Sequence, residues 1–420
     1  MAAGDQLPHY ISTIERGRML KRPQSALVVG AGVIGMATAY ALARKGLSVT
    51  LVDREPRPGM GSSYANGAQL SYCYTDALAT PAILPSLPAL SLGLDKAFRL
   101  RAQWDLDYVY WLLAFLRNCT HQKFAANTAA ALELAQDSCK AMAAMQNSHK
   151  IEFGHKVVGK MHVYSDEAQF RKAKALSEKK RVFGIRQEAL SSAEAIRLEP
   201  ALLKRTDPIA GVIYSPDDAV GNSRTFCTEM LKLLVTEYGV KTSFKTAISN
   251  VKLDQSAQAT CGDGSVMSAD IAILCTGSAA SDLLAPHGVR IPVQPMKGYS
   301  FELPANNFSP KISITDSRRR IVFTNLGDRI RIAGLAELGS TSTRVSPKSM
   351  ENLVETARQS LPDAGHYNHA SNFWAGLRPM TPNSQPIISR PHDHLAINTG
   401  HGMLGWTMAM GSGEKLATLM

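Results

Sequence analysis

The sequence predicts an α/β fold, with a Rossmann-like dinucleotide-binding domain interleaved in sequence with a mixed-sheet α+β domain. Three observations predict it. The first is Gly30-Ala31-Gly32-Val33-Ile34-Gly35, a GxGxxG that directly follows the apolar run Ala26-Leu27-Val28-Val29. The second is Ser48-Val49-Thr50-Leu51-Val52, which ends at Asp53, eighteen residues beyond Gly35. The third is Asp270-Ile271-Ala272-Ile273-Leu274-Cys275-Thr276-Gly277, an acid, a buried apolar strand and then Thr-Gly.

The elements follow in order. The valine-rich run at 26–29 reads as a buried parallel strand. Met36 to Arg44 reads as a helix with small residues toward the sheet, closed by Gly46. Gly30 allows the tight turn, Gly32 lets a pyrophosphate approach the backbone at the helix N-terminus, and Gly35 allows close helix–strand packing. A carboxylate at Asp53 is placed to accept from ribose hydroxyls. Residues 242–252 and 265–276 read as strands around the turn Cys261-Gly262-Asp263-Gly264. Residues 104–116 read as a helix with wide aromatic coverage, either domain core or a segment dipping into a membrane interface, and too short to span one. Helices at 124–148 and 166–181 carry apolar positions at helical spacing. Glycines crowd a strand-to-helix junction at 398–413, where a helix beginning near Leu404 would aim its positive end at a planar ring.

Composition bounds the function. A chain of 420 residues with 45% apolar and 19% charged residues is globular, with two or three domains or one large interleaved unit. Six scattered cysteines form neither CxxC nor zinc-ligand spacing, so no metal site is expected, and they suit a reducing compartment. The net charge of +11 comes without a nucleic-acid motif or a lysine-rich tail, and no nucleic-acid partner is expected. The excess charge suits an anionic cofactor, an anionic substrate or a lipid surface. Residues 1–24 carry six charges and no apolar centre, so they read as a flexible N-terminal extension and not a secretory signal. The uncharged stretch 25–43 is long enough to span a bilayer, but its three glycines and β-rich opening favour the strand–turn–helix.

Several long motifs, in order, carry a family resemblance over residues 25–420: GAGVIGMATAYALARKGLSVTLVDR, SSYANGAQLSYCY, SPDDAVGN, PVQPMKGYSFELP, DRIRIAGLAELG, and GLRPMTPNSQPII with NTGHGMLGWTMAMGSG. The chain resembles the D-amino acid dehydrogenase family within the D-amino-acid-oxidase-like flavoproteins. The resemblance implies a glutathione-reductase type FAD domain and an extended FAD. Gly30, Gly32, Val33, Ile34 and Gly35 would line the pyrophosphate, and Asp53 and Arg54 would face the adenosine ribose. Ser62, Ser63, Asn66, Gly67, Ala68, Gln69 and Leu70 would run beside the ribityl chain and the ring. Ile248 would meet adenine through its backbone, and Thr276 and Gly277 the phosphate side. Gly376, Gly402, Met403, Leu404, Gly405 and Trp406 would meet the isoalloxazine.

The resemblance also implies the chemistry. Arg378 would take the substrate carboxylate as a bidentate fork. Hydride would leave Cα for flavin N5, and water would convert the imino acid to a 2-oxo acid and ammonia. His401 and Tyr299 would assist or position, or serve respectively as a loop-satisfying histidine and a packed aromatic. Expected partners are a D-amino acid or secondary amine and an electron acceptor such as a membrane quinone, in a homo- or hetero-oligomer. The expected location is cytoplasmic, at the inner face of the cytoplasmic membrane. Two alternatives stay open: an oxygen-using glycine/sarcosine-type amine oxidase, and a catalytic subunit of a hetero-oligomeric opine or hydroxyproline dehydrogenase. Asp316-Ser317-Arg318-Arg319-Arg320 and Ser71-Tyr72-Cys73-Tyr74-Thr75-Asp76 depart from the family pattern. An arginine near the pocket would suit a second acidic group, and a solvated loop is the other reading. The expected division is 25–80, 205–292 and 372–420 for the FAD domain, and 81–204 and 293–371 for the substrate domain.

Overall fold

The computed structural model describes residues 22–87, 90, 95, 97–101, 103 and 105–420. Residues 1–21 of the expected extension, and Trp104, lie outside the described residues. Ser25–Val29 lies in a six-stranded sheet, parallel to Ser48–Val52 on one side and to Ile271–Leu274 on the other. Lys241–Ser243 and Leu395–Thr399 extend the sheet in parallel, and Ile387–His392 closes one edge antiparallel. Val29 is in register with both Val52 and Leu274, so the glycine turn, Asp53 and Cys275-Thr276-Gly277 share the carboxyl end of the sheet. In an open parallel sheet that end is where ligands bind.

Behind the turn, the helix Val33–Arg44 is almost wholly buried. Its small residues allow a close stack. A Cβ on Gly413 of the C-terminal helix Gly405–Ala417 would sit 2.6 Å from Ala37 O. On the other side, a Cβ on Gly411 would sit 2.7 Å from Ser138 N of the long helix His121–His149. The long helix therefore packs on the dinucleotide-binding layers, although it falls in the segment expected for the substrate domain.

Two expected strands are interrupted. The run 242–252 breaks at Lys245, where φ is +56°. There the chain donates Lys245 N to Glu55 O and Thr246 N to Asp53 O, then enters a separate antiparallel sheet as Ile248–Leu253. The run 265–276 breaks at Asp270, whose carboxylate accepts from the amides of Gln24 and Ser25 at 2.7 and 2.8 Å. Between them, Ala257–Cys261 forms the middle strand of the small sheet, which the sequence reading did not separate out.

The second large sheet runs in the order Ser371–Met380, Gln294–Pro304, Arg329–Leu338, Ile321–Asn325, Ser313–Asp316, Lys160–Tyr164, Gly211–Ser215 and Glu188–Leu190, with Phe98–Leu100 beside Arg329–Leu338. Gly211–Ser215 and Ser371–Met380 thus pair within this sheet, although the expected division put both with the FAD domain. The basic run is held on its far side. Arg319 pairs with Asp207 and Asp316, and Arg318 with Asp207 at 3.1 Å. Buried Asp316 also takes Arg205 at 2.8 Å.

The aromatic helix is Leu106–Asn118, and one of its faces joins the core. Tyr108, Trp111 and Phe115 are buried, with Trp111 Nε1 donating to Met380 O, while Leu106, Val109, Leu113 and Leu116 are exposed. Among the described residues no helix is long and apolar enough to cross a membrane, and no group of His, Cys, Asp or Glu is arranged to hold a metal ion.

Candidate active site

A cavity of about 1270 Å³ runs from the glycine turn to the underside of the larger sheet. The glycines divide their labour as the fingerprint requires. Gly30 has φ of +104°, and a Cβ there would lie 2.7 Å from Cys275 O. A Cβ on Gly35 would lie 1.7 Å from Gly30 O, so Gly35 sits in the helix–strand contact and does not line the cavity. Gly32 has only Ser63 Oγ nearby, at 3.2 Å, and its open side faces the cavity with Val33 and Ile34. The helix has no side-chain cap, and Ser63 Oγ accepts from Val33 N at 3.1 Å. Asp53 reaches the cavity with both oxygens already on backbone amides, Ala31 N at 2.5 Å and Glu55 N at 2.8 Å. It shapes the turn, and each carboxylate oxygen keeps a further lone pair. Arg54 lines the rim, largely exposed, with Glu55 at 3.6 Å.

Ser62, Ser63, Asn66, Gly67, Ala68 and Gln69 follow the cavity wall. Ser62 Oγ donates to Leu377 O, Asn66 Oδ1 caps Ala68 N, and Gln69 Nε2 reaches Ser313 Oγ at 2.7 Å. Leu70 does not line the cavity. It is the next residue on a strand, so it faces the opposite way, into the core. Ile248, Thr276, Gly277, Gly376, Gly402, Met403, Leu404 and Gly405 all line the cavity. Trp406 lies at its edge, but its indole turns into the core against Phe226 and Phe153, with Nε1 donating to Gly221 O at 3.0 Å.

The three residues expected to act on substrate meet this same space. Arg378 lies on Ser371–Met380 and lays its guanidinium over Gly298 of the adjacent strand. A Cβ there would be 2.4 Å from Nη2, so with any larger residue the guanidinium would have to move from this position. Sequence reading had not singled out Gly298. Desolvation holds the Arg378 guanidinium down to about 10, and among the described residues it makes no ion pair within 4.0 Å. His401 is buried between Gly400 and Gly402, both at positive φ, and neither ring nitrogen has a hydrogen-bond partner among the described residues. Burial pushes its pKa down to about 3, so the imidazole is neutral at physiological pH. Tyr299 is packed, and its hydroxyl is committed to Glu337 Oε1 at 3.1 Å. The cavity also has a wall formed by Ser71, Tyr74 and Asp76, from the stretch that departs from the family pattern, and by Lys160 and His162, which sequence reading missed. The available signal was Lys160 and His162 two apart on one strand face, a basic pair where a buried strand should be apolar.

Residues 25–419 match the family model described as FAD dependent oxidoreductase. The chain belongs to that family. Among curated relatives, it is 37% identical over 402 residues to D-amino acid dehydrogenase of Paramagnetospirillum magneticum, covering 94% of each chain. It is 36% identical over 405 residues to D-amino acid dehydrogenase 2 of Ralstonia nicotianae, covering 94% of this chain and 95% of the relative. Among solved structures, glycine oxidase from Bacillus cereus superposes with a TM-score of 0.72 at 19% identity, covering 94% of each chain. The family's FAD fits the residues present. The open side of Gly32 offers backbone to a pyrophosphate, and the buried Thr276 Oγ1, Asn398 Oδ1 and both His401 nitrogens lack partners while lining the cavity. The chain is an FAD-dependent oxidoreductase.

Two outcomes test this site. Gly32→Val should fold normally, because the added side chain projects into the cavity, yet FAD content should fall at least about tenfold. A purified variant as yellow as wild type would refute the cradle. His401 has a folded-state pKa below its unfolded value, so the stability it contributes is complete above about pH 6.5 and declines as pH falls toward 3. The urea midpoint of His401→Asn should therefore depend less on pH between about 7 and 4 than that of wild type. Equal dependence in both proteins would place the imidazole in water.

Proposed function

We propose that the chain is a dehydrogenase that oxidises D-amino acids or related secondary amines to 2-oxo acids. The observation that carries this reading is Arg378, a desolvated guanidinium without an ionic partner among the described residues, in the cavity that fits FAD. A buried charge without a counter-ion is costly, and a planar carboxylate repays it through two parallel hydrogen bonds. When bound, FAD supplies the two-electron acceptor for the hydride that leaves Cα. The protein's residues do the positioning. Arg378 fixes the carboxylate, and the strand beneath it, at Gly298, keeps the guanidinium from retreating. Neutral His401 offers a lone pair that accepts a hydrogen bond from the substrate amine N–H and orients it, and the amine reacts in its uncharged form, whose nitrogen lone pair assists hydride loss. In this reading the six-stranded layers hold the cofactor and the nine-stranded sheet holds the substrate.

The electron acceptor is read as a quinone in the cytoplasmic membrane, with the enzyme seated on its inner face. Leu106, Val109, Leu113 and Leu116 recur three or four apart and form an exposed apolar stripe on one helix, with the net charge of +11 favouring anionic lipid.

Anaerobic addition of D-amino acids should bleach the flavin of the holoenzyme. Arg378→Lys should lower kcat/KM by about 30–150-fold, the equivalent of about 2–3 kcal/mol, with the flavin spectrum intact. Arg378→Ala should lose more, and an amine lacking a carboxylate should barely distinguish it from wild type. Full activity in Arg378→Ala would make the arginine structural. Val109→Asp combined with Leu113→Asp should lower co-sedimentation with anionic vesicles by more than about tenfold. Unchanged sedimentation would remove the membrane reading.

A further inference from the structure

Lys160 opens the strand Lys160–Tyr164 near the middle of the nine-stranded sheet. Along that strand Met161 and Val163 face the hydrophobic core, and Lys160 and His162 face the cavity. Lys160 is 5% exposed, and its Nζ donates to Ser71 Oγ at 2.7 Å. Among the described residues it forms no ion pair within 4.0 Å. Asp76 takes the ammonium of Lys180 at 2.6 Å, and buried Asp218 accepts from Cys73 N at 2.8 Å and acts on Lys160 only from beyond ion-pair distance, offsetting part of the desolvation of the ammonium. A neutral hydroxyl is a poor substitute for the water that burial removes from an ammonium.

The position of this cation matters as much as its isolation. Ser71 N donates to Thr407 Oγ1 at 2.9 Å, in the first turn of the helix that follows His401. Lys160 is therefore two hydrogen bonds from that turn. The strand that carries Arg378 reaches the segment before that turn, since Met380 at its end bridges to His401. The cavity is thus lined by two cations, buried Lys160 and partly exposed Arg378, neither within 4.0 Å of a carboxylate among the described residues. The basic run at 318–320 does not supply the second charge. Arg318 and Arg319 are spent on Asp207 and Asp316, and Arg320, although it lines the cavity, is half-exposed and pairs with Asp95 at 3.1 Å.

We infer that Lys160 receives a second acidic group, so that the substrate is an amino acid or secondary amine with two carboxylates, one held by Arg378 and the other by Lys160. The inference rests on the amine-oxidising reading above and names the substrate class of that site. Tyr74 completes the subsite. Its ring stacks on His162 at 3.5 Å and lies 5.4 Å from Lys160 Nζ and 5.0 Å from Lys180 Nζ, so one aromatic face holds the cationic side together. Burial holds Lys160 down to about 8, which leaves it charged at neutral pH and gains from any anion brought beside it.

The test uses holoenzyme and pairs of compounds that differ by one carboxylate: D-glutamate against D-norvaline, and iminodiacetate against sarcosine. Anaerobic flavin reduction by wild type should favour the dicarboxylates by about tenfold or more in kcat/KM. Lys160→Met should lower kcat/KM for the dicarboxylates by about 30-fold, leave the monocarboxylates within about threefold, keep flavin content, and not lower the urea midpoint. Lys160→Arg should restore part of the preference. Equal losses on both members of each pair, loss of flavin from Lys160→Met, or a wild type that prefers the monocarboxylates would overturn the inference while leaving the amine-oxidising reading in place. A wild-type flavin reduced by neither set would instead overturn the reading on which it rests.

Discussion

Gly35 lies so close to the carbonyl of Gly30 that a β-carbon would come within 1.7 Å of the oxygen, and the rest of the architecture is built out from that contact. It docks the helix Val33–Arg44 on the strand Ser25–Val29 and aims the helix N-terminus into the cavity. The same helix then receives Gly413 from the C-terminal helix, which in turn receives the long helix through Gly411. Three helices are stacked at backbone distance, and each stage depends on a glycine. Because the C-terminal helix starts at Gly405, fixing its body also fixes the turn at His401–Leu404 that faces the cavity. The cofactor cradle and the substrate end are thus parts of one packed stack, although they lie more than 360 residues apart in sequence.

The electrostatics of the cavity follow from what the fold leaves unpaired. Several buried charges are matched: Glu302 takes Arg331 at 2.7 Å, Asp316 takes Arg205, and, at the cavity wall, Asp76 takes Lys180. In the cavity the pattern changes, with Arg378 lying over a glycine and His401 held neutral with both nitrogens unmatched. Such groups lower the stability of the folded chain unless a ligand meets them, which couples stability to occupancy. A preorganised site of this kind performs its reorganisation during folding and not during the reaction.

The legible parts of the sequence were those in which one short segment contains the whole mechanism. GAGVIG, with its strand, helix and Asp53, is such a segment, and so is GLRP with NTGHGMLGW, because close backbone approach forces glycine at fixed offsets. What stayed hidden depended on partners distant in sequence. Gly298 is required only because Arg378 lies across it, and Lys160 is meaningful only beside Ser71, 89 residues earlier. Leu70 was assigned to the cavity with Gln69 because the motif is contiguous, but strand alternation sends the two to opposite sides. The division into domains was the least legible feature. Gly211–Ser215 and Ser371–Met380 are bounded by segments of the other layer, and neither periodicity nor composition marks the sheet in which a strand will pair.

The basic residues show how charge is allocated in this chain. A run of three arginines in a loop looks like an anion site in sequence, yet Asp207 and Asp316 neutralise two of them, and Asp316 also caps the turn through the amides of Arg318 and Arg319. Consecutive residues in a tight turn cannot all face one cavity, and a surface loop lets each find water or a carboxylate. A lysine on a central strand has no such freedom. Its direction is set by the pleat, so Lys160 must face the cavity once Met161 faces the core. An isolated, directed, desolvated cation discriminates among ligands more strongly than a cluster on a mobile rim, because removing its anion leaves the full desolvation penalty unmet. The same reasoning applies to Arg378, fixed over Gly298 by the neighbouring strand. In the proposed reading, recognition therefore falls to two strand-borne cations, while Arg318 and Arg319 of the conspicuous run are held by the carboxylates of the scaffold.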